Sequence, residues 1–149
     1  MKFEHIDNCV MFNYFPNKLD IGGFFDEDSG NIYINKKLRK IRREIVFQHE
    51  KQHKKCFNSR CSCWSKGTEF WCEYHAMKAE FEFSMKNEKL VQKLYFKAVI
   101  LSLKRYLRDM NKVKSWKAHY QALRKVCKLK KFKQLAKKSG FWGEIKKLI

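Results

Sequence analysis

The sequence predicts an α+β protein: a short N-terminal β-hairpin or meander, followed by helices to the end of the 149 residues. Three observations predict it. The first 35 residues are rich in β-branched and aromatic side chains interrupted by turn formers. From residue 36 onward, apolar residues recur every three or four positions. A composition 44% hydrophobic and 15% aromatic supplies a packed core and excludes a wholly disordered chain, even with 33% charged residues.

Residues 6–15 mix β-branched and aromatic side chains and stop at Pro16-Asn17. Residues 21–25 and 32–34 flank Asp26-Glu27-Asp28-Ser29-Gly30, so a hairpin is expected there. Asn35 is placed as the N-cap of a helix over residues 36–56. Leu38, Ile41, Ile45 and Val46 form its apolar stripe, which extends to His49, Gln52, His53 and Cys56. Both histidines therefore face the interior. Residues 57–67 read as a loop. A second helix starts near Thr68 and carries Phe70, Glu73, Tyr74, Met77 and Phe81 on one stripe. Glu73 is unusual there, because a buried carboxylate needs a partner. Further helices are expected over residues 88–110 and 112–138, the latter broken near Cys127 and ended by Ser139-Gly140. Residues 141–149 make a short apolar and basic tail.

Charge divides the chain. Residues 1–85 hold 14 basic and 12 acidic residues, a net of +2, whereas residues 86–149 hold 20 and 3, a net of +17. The expected organisation is a core over residues 1–87 and a basic helical extension over residues 88–149 packed on it.

The motif that carries chemistry is His49-Glu50-Lys51-Gln52-His53. On a helix, positions i and i+4 lie on one face, so both imidazoles can reach one Zn²⁺. Glu50 can then act as general base on water at the metal without being a ligand. A catalytic zinc needs a third protein ligand and an open position. Glu73, 20 residues after His53 on the next helix, is the choice; His75, Glu69, Glu80 and the nearby cysteines are rivals.

With Glu73-Tyr74-His75-Ala76 on the second helix, the motif resembles the gluzincin zinc metallopeptidases, above all the minigluzincins and ImmA/IrrE-type peptidases. The likeness covers roughly residues 20–85. The segment GFFDEDSGNIYIN over residues 23–35 is similar to the strand–turn–strand that precedes the active-site helix in that group. The resemblance implies a minimal zincin-like fold, with zinc on His49, His53 and Glu73, and Glu50 as base and proton shuttle. Lys51 and Gln52 depart from the small residue and Gly usual inside that motif. Lys66-Gly67-Thr68-Glu69-Phe70 bears a weaker likeness to a segment of SprT-like proteases, with Lys66 where their third His ligand stands. An extended peptide substrate would pair with the hairpin edge, and Tyr74 or His75 would stabilise the oxyanion.

Cys56, Cys61, Cys63 and Cys72 follow the spacing C-x4-C-x-C-x8-C. Four thiolates can hold a second, structural metal; disulfides or free thiols are the alternatives. Cys9 and Cys127 read as isolated core thiols.

The basic half interleaves Lys and Arg with Trp116, His119, Tyr120, Phe132 and Trp142. Such a surface suits DNA or RNA, or an acidic protein, in preference to an anionic membrane. No signal peptide and no transmembrane segment are readable, so a cytoplasmic setting is expected. The functional expectation is a zinc-dependent peptidase recruited by its basic helices. The alternative is a non-catalytic, zinc-stabilised nucleic-acid-binding protein.

Overall fold

The computed structural model describes residues 10–12, 22–65 and 69–149, with side chains over 22–63 and 69–149. Cys9, the outer parts of the strand expected over residues 6–15, the Thr68 helix start and the Lys66-Gly67-Thr68 likeness lie outside the described residues.

Three strands, β1 (Val10–Phe12), β2 (Gly23–Phe25) and β3 (Ile32–Asn35), form a sheet in the order β1-β3-β2. β3 runs parallel to β1 and antiparallel to β2, with Phe24 opposite Tyr33. Among the described residues β2 thus stands at one edge of the sheet. The expected turn closes through Asp26: its carboxylate accepts from Asp28 N and Ser29 Oγ, and its carbonyl accepts from Gly30 N. Gly30 adopts φ +74, which glycine reaches without steric cost.

Helix α1 (Lys40–Asn58) starts four residues later than the expected residue 36. Asn35 is not its cap. It remains in β3, and its side chain accepts from Lys37 N across the turn that leads to the helix. α1 lies between two apolar layers. Val46 and Phe47 pack on Ile32 and Ile34 of the sheet, while Ile41 and Ile45 pack on the helices. β2 approaches α1 closely: a Cβ on Gly23 would stand 2.6 Å from Tyr33 O and 2.9 Å from Val46 Cγ1.

The expected loop contains a short helix, α2 (Ser62–Ser65), before α3 (Glu69–Met85). Next come α4 (Lys89–Asp109), α5 (Trp116–Cys127), α6 (Lys130–Lys138) and α7 (Trp142–Lys146). The break near Cys127 separates α5 from α6, and the tail holds α7. α3 packs against both α1 and α5.

One apolar core runs from Ile45 on α1 through Phe81, Tyr95, Phe96 and Phe132 to Ile145 on α7. The charge boundary near residue 87 is therefore not a packing boundary. Phe132, counted in the sequence among aromatics for base stacking, is fully buried, with its ring centroid 5.3 Å from Phe81 and 5.4 Å from Phe96. Among the described residues, no helix is long and apolar enough to cross a membrane.

Candidate metal centre

Helical spacing on α1 stacks His49 over His53, and α3 brings Glu73 across to both. His49 Nε2 and His53 Nε2 are 3.1 Å apart. Glu73 Oε2 lies 3.0 Å from His49 Nε2, and Glu73 Oε1 lies 3.0 Å from His53 Nε2. Three donor atoms on three side chains thus converge on one point. Ligands about 2.0–2.1 Å from a shared tetrahedral ion would be roughly 3.3 Å apart, so little movement is needed to hold one. Among the described residues these three form one of two groups that can hold a metal ion.

The surroundings favour such use. His49 Nδ1 is 2.7 Å from Glu80 Oε1, so Nδ1–H donates to that carboxylate and Nε2 turns to the centre. Glu80, a rival ligand in the sequence, thereby stands behind His49. Glu73 Oε2 is buried without a hydrogen-bond donor. Converging lone pairs need either a proton or a cation between them.

Without an ion, a proton takes that place. Burial opposes charge on His49, yet Glu73 and Glu80 prevail and lift its pKa well above the imidazole range. Burial likewise opposes charge on Glu73, yet His49 and His53 hold it well below the carboxylate range. Glu50, itself buried, has Oε1 4.0 Å from His49 Nε2. Burial raises its pKa against the pull of His49 and His53, which suits a proton acceptor.

The centre opens into a cleft of about 600 Å³. Its walls include β2, Glu50, Trp116 and His119. His119 reaches it from α5: Nδ1–H donates to Ser115 O at 2.8 Å, and Nε2 lies 3.4 Å from Glu73 Oε2. The sequence reading had His119 only among aromatics of the basic half. No local spacing links it to His49, because packing of α5 on α3 brings it there.

Neither oxyanion donor expected from the sequence is among the residues that line this cleft. His75 faces the cysteines, with Nδ1 3.8 Å from Cys56 Sγ. Tyr74 packs against the core and lies 5.2 Å beneath Lys125 Nζ. Glu69, another rival ligand, is exposed and pairs with His119 at 3.6 Å.

The second group is Cys56, Cys61, Cys63 and His75, with donor atoms all within 4.8 Å of one another. His75 stands where the sequence reading had Cys72. Cys72 instead lines the cleft beside Cys63, and burial raises its pKa. Cys127 is the isolated core thiol expected, pushed up to about 12 by burial.

No family model matches the chain, and no curated protein or solved structure matches it either.

Proposed function

We propose that this chain is a zinc-dependent peptidase of gluzincin-like type. One observation carries the reading: His49 Nε2 and His53 Nε2 lie 3.1 Å apart with the two Glu73 oxygens each 3.0 Å from one of them, at the wall of a cleft lined also by Glu50 and β2. Two neutral imidazoles and one carboxylate form a donor set suited to zinc, with one side left open.

A zinc ion held there would polarise a substrate carbonyl and make water more acidic. The chain's own residues do the rest. β2 lines the cleft, so an extended peptide laid along it would set the scissile bond beside the centre. Glu50 takes a proton from the attacking water as its oxygen bonds to the carbonyl carbon. The C–N bond then breaks, and Glu50 returns that proton to the leaving amine. His119, held at Nδ1 by Ser115 O, turns Nε2 to the cleft, where the oxyanion would develop. Glu80 keeps the His49 ring oriented throughout.

The basic helices would recruit the enzyme to nucleic acid or an acidic protein. Lys128, Lys130, Lys131, Lys137 and Lys138 are exposed around α6, while Phe132 and Ala136 are in the core. The charge is free to meet phosphates, and α6 has little apolar face left for a membrane.

Glu50→Gln tests the proposal. Peptide cleavage should fall roughly 10²–10⁴-fold with zinc content unchanged. Undiminished cleavage with zinc in place would overturn it, and salt-sensitive DNA retention without any cleavage would favour the non-catalytic alternative.

A further inference from the structure

We propose that Cys56, Cys61, Cys63 and His75 form a four-donor structural zinc site that clamps α1, α2 and α3 together. The proposal does not depend on peptidase activity, since it shares helices with His49, His53 and Glu73 but no ligand.

The geometry is that of a ligand shell. His75 Nδ1 lies 3.8 Å from Cys56 Sγ and 3.9 Å from Cys61 Sγ. Thiolates at about 2.3 Å and an imidazole at about 2.0–2.1 Å from one tetrahedral ion would sit roughly 3.5–3.8 Å apart. All three cysteines are free. Three soft sulfurs and one imidazole complete a zinc shell with no vacant position.

The backbone is shaped to the same end. α1 finishes in a Schellman turn: Arg60 N donates to Phe57 O at 3.3 Å, and Cys61 N donates to Cys56 O at 2.9 Å. This turn folds Cys61 back beside Cys56. Its left-handed position is held by Arg60, at φ 52, where glycine is the usual residue. A β-carbon in that region is unfavourable and persists where neighbouring contacts fix the chain. Gln52 Nε2 donates to Cys56 Sγ at 3.3 Å, the kind of bond that orients a metal-ligating thiolate. Gln52 is also one of the two residues that depart from the motif of the resembling peptidases, and here it has a partner.

The clamp draws two of its ligands from the same two helices as the first centre. Cys56 follows His53 by three residues on α1, and His75 follows Glu73 by two on α3. An ion there would set the distance across which Glu73 faces the histidines.

Zinc content and the cobalt spectrum of the full chain test this. His49→Ala/His53→Ala should retain one equivalent of zinc. Its Co²⁺-substituted form should show a thiolate-to-cobalt charge-transfer band and tetrahedral d–d bands. Adding Cys61→Ser/Cys63→Ser should remove both the equivalent and the bands, His75→Ala should alter them, and Cys72→Ser should leave them intact. Should the cysteine variants not fold, blocking thiols on the wild type with an organomercurial should release one equivalent of zinc. The proposal is overturned by no zinc in the histidine variant, by no release on thiol blocking, by loss with Cys72→Ser alone, or by a Cys56–Cys61 disulfide in the reduced-handled protein. Absence of peptidase activity from the wild type with both equivalents of zinc bound would count against the function proposed above and leave the clamp standing.

Discussion

The two donor groups lie along the same pair of helices and differ in how they end. His49, His53 and Glu73 meet at the wall of a cleft, with Glu50 beside them and room in front. Cys56, Cys61, Cys63 and His75, drawn from α1, the turn after it, α2 and α3, bring four donor atoms within 4.8 Å of one another, enough to fill a tetrahedral shell. Three hard-to-borderline donors facing space suit chemistry, whereas four donors led by sulfur suit anchorage. One helix pair can carry both because Cys56 lies about one turn past His53 on α1 while His75, two residues from Glu73, points to a different face of α3.

After Glu50→Gln, the largest effect is expected from His119→Ala. Turnover should fall roughly 10²-fold, the scale of losing an oxyanion donor, while zinc content holds. Paired zinc and rate measurements check it. Loss of zinc would make His119 a fourth ligand, and the contrast between open and closed centres would break.

Glu80→Gln should act on the open centre alone. Affinity there should weaken roughly 10–100-fold, read by chelator competition, with the sulfur-rich centre unchanged. Gly23→Ala tests the cleft wall. The added methyl meets Tyr33 O and Val46, so unfolding stability should drop by about 1–3 kcal/mol in a thermal melt.

Acidity sharpens the contrast further. His49 has a raised pKa without the ion, so its contribution to ion-free stability is full below the unfolded imidazole value and is lost as pH rises through the folded value. Glu73 has a lowered pKa, so its contribution is present above the unfolded carboxylate value and lost as pH falls through the folded one. Ion-free protein should therefore be most stable between these limits. Metal must displace the His49 proton, so open-centre affinity should rise with pH until that proton is gone. Calorimetric titration in buffers of different ionisation enthalpy would count the protons released.

That His49, His53 and Glu73 share one interior face was readable because helical period is a local property. They could be named from stripes on two segments, without knowing how the segments pack. His75 was misassigned for an instructive reason. Two residues from Glu73, it does point to another face, but that face looks onto the end of α1 where Cys56 and Cys61 lie. His119 had no local signal, since tertiary packing alone sets a contact between α5 and α3. Asn35 shows the opposite limit. A good capping residue was claimed by the sheet, because β3 pairing extends through it to Phe12.

The Schellman turn at the end of α1 has a practical consequence. Arg60 is exposed and is a bond at which trypsin can cut, yet a protease needs its target drawn out into an extended strand. While Cys56 and Cys61 are held together, the left-handed turn cannot be drawn out. Once they part, Arg60 gains from leaving that conformation, and local opening exposes the bond. Cleavage after Arg60 would thus report, on a gel, whether the sulfur-rich centre is filled.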